Sequence, residues 1–448
     1  MAECLRLTLS KKRISSLIYA HFRNPGDTCS KFEMRKDLLM AEKAETKTAR
    51  LAEAALTEEA LTDWEKRIGL ELRVGNIFNQ TVSYEAIRNF SNGIGDANPL
   101  YQDEEYAKKT RYEALIASPA WTVSVFPHWV LQGLPGIHAD HSASDWEFLK
   151  PIYVNDKITP KCYFVGYDVK PSKFAGRTAF EYQRFEYWNQ RGELVSRGYN
   201  MLVRYERQTA RGKSEEGEGK YDYIQVPQPW TEEELAKVDE DVLAEEIRCS
   251  QVRYWEDVNI GDELKPVVKG PFGMTDIIAF CVGAAPVQLA AHGAQLRLYK
   301  KHPAWGFRDP VTHAWEPVYG VHYSVAAAKG VGARYAYDVG VQRHCWLVNL
   351  LTNWMGDEGW LKSCNAQYRR FVYHSDVVWL HGKVTKKYID ENEEYCVDIE
   401  TDGINQRGEN TMPGHSTVIL PSREKGTWPV EKRLPAKEFR GTGKGVYF

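Results

Sequence analysis

A glycine-rich turn in the first quarter of the chain carries residue types that suit acid–base chemistry. Residues 93–109 read GIGDANPLYQDEEYAKK, and they place Asp96, Asn98 and Tyr101 within six positions. Glycines let the backbone bend sharply and Pro99 restricts it, so the loop can hold a carboxylate in one orientation, as a catalytic base requires. Aspartate and asparagine in turns also accept hydrogen bonds from their own backbone, so the turn alone fits a catalytic or a structural role.

The elements around the turn are predicted from apolar spacing and helix start signals. Residues 83–94 predict a short helix that leads into the turn, and residues 41–70 predict one or two helices with Thr57 as a start signal. Residues 104–119 predict a helix and a return loop, and the mostly apolar residues 120–134 predict a buried helix. Aromatic and β-branched segments then predict strands within residues 145–170, 176–189 and 192–206.

An internal repeat indicates that the chain contains two copies of one unit. The sequence NQRGE occurs at residues 189–193 and again at 405–409, and the same offset of 216 residues takes Gly198 to Gly414. Residues 274–286 also match the helix and turn of the first copy. We therefore predict an α+β protein in which each unit is a curved antiparallel sheet around one buried helix. The predicted boundaries are 1–64 for an N-terminal extension and helix, 65–205 for the first unit, 206–244 for a polar linker, 245–422 for a second unit with an insertion, and 423–448 for a tail.

The composition excludes several classes of partner and site. The net charge of −3 gives no electrostatic basis for binding nucleic acid or an anionic membrane, and no apolar run is long enough to span a bilayer. The eight cysteines are scattered and none forms a C-x-x-C pair, so we expect reduced thiols, a cytoplasmic protein and no zinc site. The histidines show no metal-binding spacing, and no metal or redox cofactor is implied. Residues 1–39 lack a clear apolar period, and we expect a disordered extension, with a targeting arm as the alternative.

The turn and its flanks resemble the hydratase motif of the MaoC-like, (R)-specific enoyl-CoA hydratase family. That motif runs aromatic, small residues, Gly-Asp, any residue, Asn-Pro, aliphatic, His, any residue, Asp or Glu, and then Ala. The chain matches it in order at Gly95, Asp96, Asn98, Pro99, Leu100, Asp103 and Ala107. The resemblance extends over both units, so it implies a double hot-dog fold whose first unit is of the MaoC-like dehydratase N-terminal type.

The resemblance also implies an activity. Members of this family add water across the double bond of a 2-enoyl thioester or remove it from a 3-hydroxyacyl thioester. An aspartate and a histidine hold the water, and a backbone N–H at the start of the central helix polarises the thioester carbonyl. The resemblance further implies an acyl-CoA or acyl-carrier substrate, no cofactor, and a homodimer without nucleic-acid or membrane partners. Tryptophan in the second unit favours a bulky or aromatic acyl group.

Three parts of the family pattern are changed in this chain. Tyr101 stands where the family has histidine, and a phenol that titrates at about 10 is a hydrogen-bond donor at neutral pH rather than a base. Ser118 and Pro119 stand where the family has His-Gly, and proline lacks the N–H of an oxyanion donor. The second unit has no Asp-x-Asn-Pro loop at all.

Other residues are candidates to complete the site. The hydroxyl of Ser118 or the N–H of Ala120 can replace the lost donor, and His138 or His141 can supply the lost imidazole. The predicted catalytic residues are Asp96, Asn98 and Tyr101, and the predicted substrate-binding residues are Ser118, Ala120, His138, His141, Arg343, His344 and Cys345. Two further functions stay open: an acyl-CoA-binding subunit with a degenerate site that needs a partner, and a hot-dog thioesterase.

Overall fold

The structure is a computed structural model of the 448-residue chain. It describes residues 47–75, 77–127, 133–219, 221–287 and 289–427. From Thr48 onward these residues belong to one compact unit. Residues 1–39 and His128, for which the sequence predicts an extension and a packed core histidine, lie outside the described residues.

The first half begins with short helices that the sequence signals well. Helix α1 (Glu58–Glu65) starts where predicted, since the Thr57 hydroxyl accepts a hydrogen bond from the Ala60 N–H at 3.2 Å. After strand β1 (Glu71–Leu72), helix α2 (Tyr84–Ile94) ends at Gly95, which adopts the left-handed conformation that favours glycine. Short helices α3 (Pro99–Gln102), α4 (Glu104–Ala107) and α5 (Thr122–Val125) follow. Strands β2 (Ile137–Phe148), β3 (Thr159–Ser172), β4 (Gly176–Trp188) and β5 (Leu194–Glu206) complete this half.

The second half repeats this order around a much longer helix. Its elements are β6 (Val267–Lys269), α8 (Met274–Ala284), α9 (His292–Lys301), β7 (Gly306–Arg308), β8 (Trp315–Pro317), α10 (Val325–Gly330), α11 (Gly340–Met355), β9 (Trp360–Gln367), β10 (Val378–Ile389), β11 (Tyr395–Asn405) and β12 (Gly414–Ile419). The preceding segment contains α6 (Arg207–Glu215) and α7 (Glu232–Leu243). Helix α11 is buried from Val341 to Met355, so it forms the centre of this half.

One antiparallel sheet runs through both halves. Ten strands are ordered β1-β3-β4-β5-β2-β9-β12-β11-β10-β6. The halves join where β2 pairs with β9, with Asp145 opposite Asn365. The predicted α+β class and the double hot-dog architecture are confirmed: each half supplies four consecutive strands to the sheet, and the second half packs the long buried helix α11 against it.

Helices α2 and α8 cross in close and reciprocal contact. A Cβ added at Gly93 would lie 2.7 Å from the carbonyl oxygen of Ala279, and one added at Gly283 would lie 2.5 Å from that of Asn89. The same offset of 190 residues relates both the two glycines and their two neighbours. Only glycine permits this approach of one helix backbone to the other.

Two predictions of local structure need correction. The predicted helix over 120–134 is interrupted, because Phe126 precedes Pro127 and is extended, as residues before proline tend to be; residues 128–132 lie outside the described residues. The helix and return loop predicted for residues 104–119 are present, with the helix confined to α4. The segment at 206–244, predicted as a polar linker, contains helices α6 and α7. Thr231 starts α7 with a capping box, a local signal that the overall polar composition of the segment does not indicate.

Within the described part of the chain, none of the helices has the length and apolar character needed to cross a membrane.

Candidate active site between the two halves

The loop after α2 holds Asp96 in a fixed position. The Asp96 N–H donates to the Ser91 carbonyl at 2.9 Å, which continues the turn begun at Gly95. Carboxylate oxygen Oδ1 accepts the Asn98 N–H at 3.0 Å. The side chain is 1% exposed, and its other oxygen, Oδ2, is buried without a hydrogen-bond partner. The loop therefore presents one satisfied and one available carboxylate oxygen.

Asn98 and Pro99 shape the loop. The Asn98 Oδ1 accepts the Leu100 N–H at 3.0 Å and caps α3, in which Pro99 occupies the first turn. This arrangement is the structural role that the turn chemistry suggested for asparagine. Asn98 also lines the adjacent pocket, so the same side chain is placed next to bound substrate.

Burial sets the protonation behaviour of Asp96. Burial raises the pKa of this carboxyl to about 6, against the opposing effects of the Asn98 N–H and the Lys269 ammonium. Lys269 lies on β6 of the second half, and its Nζ donates to the Gly95 carbonyl at 2.7 Å. Glu245 lies 3.8 Å from the same ammonium. A carboxyl with a pKa near neutrality exchanges protons readily, which suits a general acid or base.

Helix α11 of the second half supplies the facing polar groups. The Asn349 amide contributes to lowering the pKa of Asp96, which places it beside that carboxyl, yet neither amide atom makes a hydrogen bond of normal geometry. Thr352, one turn later, faces the Tyr101 phenol and lowers its pKa against the larger effect of burial. The first half thus brings the loop, and the second half brings the helix against which the loop is closed.

Tyr101 is held as a neutral phenol. Burial, followed by the charge of Asp96, raises the pKa of Tyr101 well above its usual value of 10. The side chain is 2% exposed and lines the pocket. Tyr101 therefore keeps its proton across the physiological pH range and acts as a hydrogen-bond donor.

A pocket of about 510 Å³, counting its open mouth, lies beside these groups and is shared by both halves. The first half contributes Asn98, Tyr101, Ser118 and Phe148 to its wall. The second half contributes Thr352 and Met355 at the end of α11, followed by Gly356, Asp357 and Trp360. The Ser118 hydroxyl is buried without a partner. Asp96 itself lies behind Asn98 and Tyr101 rather than in the wall.

Two of the predicted oxyanion donors lie apart from the pocket wall. Ala120 is fully buried in the turn that follows Pro119. Cys345 lies inside α11, which begins at Gly340, so its N–H belongs to the helix interior rather than to a free helix start. The Cys345 thiol is fully buried and donates to the Val341 carbonyl at 3.2 Å.

The predicted binding residues His141, His344 and Arg343 form a separate buried network near the start of α11. His141 Nε2 lies 2.9 Å from the Ser144 hydroxyl, which accepts a bond from the Tyr368 hydroxyl at 3.0 Å. His344 Nδ1 lies 2.9 Å from the same Tyr368 oxygen. Burial lowers the pKa of both imidazoles to about 3, so they are neutral. His141 consequently does not supply the missing imidazole beside Asp96 in this structure.

Arg343 and His138 also have local partners. The Arg343 Nε lies 2.5 Å from the Asp338 carboxylate, and both side chains are buried. The Arg343 Nη1 also donates to the Arg370 carbonyl at 2.8 Å, so protein groups already occupy the guanidinium. His138, near the beginning of β2, lies 3.3 Å from Asp140, and Phe148 at the pocket lies at the opposite end of that strand. The structure therefore separates these residues from the Asp96 loop.

Among the described residues, one cluster has a metal-ligating composition, and it lies elsewhere. Asp390, Glu394 and Cys396 bring ligand atoms close together near the turn between β10 and β11. The Lys362 ammonium lies 2.5 Å from Asp390 and 2.7 Å from Glu394. That ammonium already neutralises the carboxylates, so the cluster does not favour a metal.

Sequence reasoning missed Asn349, Thr352, Lys269 and Asp357. Asn349 and Thr352 are buried polar positions three residues apart, on the same side of α11, a spacing that is visible in its sequence. Lys269 and Asp357 carry no comparable local signal. Their proximity to the loop depends on how the two halves pack.

Comparisons with known proteins agree with this architecture. Residues 68–197 match the family described as FAS1-like, dehydratase domain region. A UPF0336 protein of Parafrankia sp. (strain EAN1pec) is 30% identical over 131 residues, which are 27% of this chain and 82% of that relative. A solved structure described as a MaoC-like dehydratase has a TM-score of 0.55 at 14% identity and covers 80% of this chain and 99% of its own. The last likeness shows the fold.

A relative with a described activity matches a shorter region. The mitochondrial 3-hydroxyacyl-acyl-carrier-protein dehydratase of Arabidopsis thaliana is 30% identical over 89 residues, 19% of this chain. The match spans about half, 52%, of that enzyme. The matched region contains the whole Asp96 loop. Since the chain covers most of the Parafrankia protein at 30% identity, it belongs to the family of that UPF0336 protein, and its residues 68–197 match the FAS1-like dehydratase domain region.

Proposed function

We propose that this protein is a hydro-lyase that adds water to, or removes water from, the 2,3 position of an acyl thioester. The observation that carries the proposal is Asp96: a buried carboxyl with one free oxygen, held by the Gly-Asp-x-Asn-Pro loop beside a pocket. The pKa of about 6 lets this group exist in both protonation states near neutral pH.

The dehydration direction shows what each group does. For this step the reacting carbons must reach Asp96 past Asn98 and Tyr101, which line the pocket in front of it, and catalytic contacts of this kind tighten when substrate binds. The Asp96 carboxylate takes the proton from C2, the electron pair forms the C2–C3 double bond, and the C3–O bond breaks. The C3 hydroxyl receives one proton from a second acid–base group of the site and leaves as water. Tyr101, which keeps its own proton, donates a hydrogen bond to that oxygen.

The pocket supports the proposed substrate class. Phe148 and Trp360 give it apolar walls, which suit a bulky acyl group. We propose an acyl-CoA or acyl-carrier thioester as substrate and a homodimer as the working form, both on the basis of the family resemblance.

The proposal is tested with a panel of 2-enoyl-CoA substrates by following the loss of enoyl absorbance. Asp96→Asn should reduce kcat/KM by about 10²–10⁴-fold, because it removes the proton-transferring group while its Oδ1 still accepts the Asn98 N–H. Asp276→Asn is the matched control, since this aspartate caps α8 of the second half through the Gly273 N–H at 2.7 Å. It should leave kcat/KM within about threefold of the wild type.

Three results separate the proposal from its alternatives. Full activity in Asp96→Asn would contradict the assigned role of Asp96. Release of free thiol from acyl-CoA without loss of enoyl absorbance would instead indicate a thioesterase. Binding of acyl-CoA without turnover, followed by activity on addition of a second protein, would indicate a degenerate subunit.

A further inference from the structure

A second buried carboxyl, Asp357, lies in the wall of the same pocket. It follows α11 directly, after Gly356, whose φ of +69° turns the chain. The Asp357 N–H donates to the Cys249 carbonyl at 3.0 Å, so the backbone is anchored. The side chain is 4% exposed, and its residue belongs to the pocket wall together with Tyr101 and Ser118.

The two oxygens of Asp357 have different environments. Oδ2 accepts a hydrogen bond from the Tyr106 hydroxyl. Oδ1 is buried without a partner. This division repeats the arrangement at Asp96, where one oxygen is held by the protein and the other is available. A buried carboxylate oxygen in a pocket wall is costly to leave unpaired, which points to a polar group of a ligand as its partner.

The electrostatics place Tyr101 under the influence of both carboxyls. The charges of Asp96 and Asp357 each raise the pKa of the Tyr101 phenol, after the larger effect of burial. Burial also raises the pKa of Asp357. Two carboxyl groups around one substrate pocket can share the proton-donating and proton-accepting roles of an acid–base pair.

We propose that Asp357 is the second acid–base residue of the site, and that it does the work for which the hydratase motif provides a histidine at the position of Tyr101. This inference rests on the proposed hydro-lyase function and adds to it. It assigns a catalytic group to the second half of the chain, which lacks the Asp-x-Asn-Pro loop.

The proton balance of the reaction gives Asp357 a definite step. In dehydration, the Asp96 carboxylate receives the C2 proton while the Asp357 carboxylic acid gives its proton to the C3 hydroxyl. The C3–O bond breaks with the electron pair on oxygen, and the products are the enoyl thioester and one water. Asp96 then holds the extra proton, which passes back to Asp357 through water before the next turnover. Hydration is the same sequence reversed.

The competing explanation is that Asp357 only ties the end of α11 to Tyr106 of α4. Tyr106→Phe removes that hydrogen bond and leaves the carboxyl in place, whereas Asp357→Asn keeps a side chain of the same shape and removes the titrating group. A structural role predicts equal loss of thermal stability and activity in the two variants. A catalytic role predicts different kinetics from variants of similar stability.

The experiment measures kcat and KM of the full chain on the best substrate of the enoyl-CoA panel, with melting temperatures as the folding control. Asp357→Asn should lower kcat by about 10²-fold or more with little change in KM, while Tyr106→Phe should stay within about fivefold of the wild type. Equal kcat in Asp357→Asn and an active wild type would overturn the inference and leave the proposed function intact. An inactive wild type would overturn both.

The pH profile gives a readout that a structural role would not move. The reactive form carries one proton on the carboxyl pair, so kcat/KM of the wild type should be bell-shaped, and Asp357→Asn should lose one of the two limbs. Retention of both limbs in that variant would overturn the inference.

The titratable groups that face Asp357 are Tyr106, Tyr101, Tyr112, Cys249 and Glu358, and Arg111 lies 3.9 Å from Glu358. Burial raises the pKa of the three phenols and the thiol, which therefore titrate above the range of the carboxyls.

Discussion

The two halves of this chain share the same order of helices and strands but differ at the residues of the candidate active site. The first half ends α2 with Gly95 and Asp96, whereas the second half has Ala285 and Pro286 at the corresponding positions. Ala285 still adopts a positive φ of +39°, so the turn has kept its shape after losing its glycine and its carboxylate. The fold of the loop and its acid–base function are thus separable.

At the central helix, it is the second half that supplies the groups near the candidate active site. In the first half the described helix α5 has four residues, whereas α11 of the second half has 16. The long helix carries Asn349 and Thr352 to Asp96 and Tyr101, and it places Asp357 in the pocket wall. Duplication therefore let one half specialise in the loop and the other in the surface that closes it.

Each half also contains one fully buried arginine–carboxylate pair. Arg204 lies 2.7 Å from Glu181 in the first half, and Arg343 lies 2.5 Å from Asp338 in the second. The first pair joins β5 to β4, and the second joins the start of α11 to the segment before it. The two pairs occupy different places in the two halves, but both are buried, so each should contribute to folding.

The largest expected effect comes from breaking these pairs. Arg343→Ala should lower the free energy of unfolding by about 3–5 kcal/mol, because it leaves the Asp338 charge buried without its partner. Arg204→Ala should cost a similar amount. Urea denaturation followed by tryptophan fluorescence and circular dichroism measures both.

The same variants test whether Arg343 binds substrate. If the arginine serves only the fold, the Arg343→Ala protein that remains folded should keep its KM for the enoyl-CoA substrate. A large rise in KM with little loss of stability would restore the substrate-binding role that the sequence suggested. A destabilisation of less than about 1 kcal/mol in one half alone would break the equivalence of the two pairs.

The elements that the sequence predicted best are those with local signals. Helix α2 begins at a capping serine and ends at Gly95, and the NQRGE repeat marks equivalent strand connections in both halves. The Asp96 loop was found because its residues are consecutive. These features depend on interactions between residues close in the chain, which a sequence pattern records directly.

The partners of the loop were not predictable in the same way. Asn349 and Asp357 lie more than 250 residues after Asp96, and only the packing of α11 against the first half brings them near it. His141 was a plausible substitute imidazole in the sequence, but the pairing of β2 with β9 places it beside Ser144 and Tyr368 instead. Such proximities follow from the sheet order, which no local motif encodes.

A smaller effect concerns how the ionisation of Asp96 changes the free energy of unfolding. Its pKa is raised from 3.8 to about 6 in the folded protein, so the folded state prefers the neutral form. Ionisation therefore destabilises the fold as pH rises from about 4 through 6, and the penalty is fully present above that range. The shift corresponds to at most about 3 kcal/mol.

Asp96→Asn should accordingly stabilise the protein while it removes activity. At pH 7.5 the variant should be more stable than the wild type by about 1–3 kcal/mol, and the difference should fall below about 1 kcal/mol near pH 4, where Asp96 is neutral in the folded chain and only partly ionised in the unfolded chain. Thermal melts between pH 4 and pH 8 measure this. The Asp276→Asn protein is the control from the second half. Equal stability of Asp96→Asn and wild type at every pH would show that the carboxyl is not strained by burial.

The smallest expected effect is a difference in stability between the two NQRGE turns, which have nearly the same hydrogen bonds. Asp156 accepts bonds from Arg191 at 2.8 Å and from a neighbouring glutamine, and Asp376 is held in the same way by Arg407. Arg407 makes two bonds to Asp376, at 2.6 and 2.7 Å, and its side chain is 18% exposed against 49% for Arg191.

Burial and the second bond should make the later turn the more sensitive one. Arg407→Ala should lower the free energy of unfolding by about 1.5–3 kcal/mol, as for a charged hydrogen-bonded pair, and Arg191→Ala by about 0.2–1 kcal/mol, as for an exposed pair. Raising the salt concentration should weaken only the Arg191 contribution, because solvent ions screen an exposed pair more than a buried one. Equal losses in the two variants would mean that the shared sequence NQRGE, rather than the burial of each copy, sets the strength of the turn.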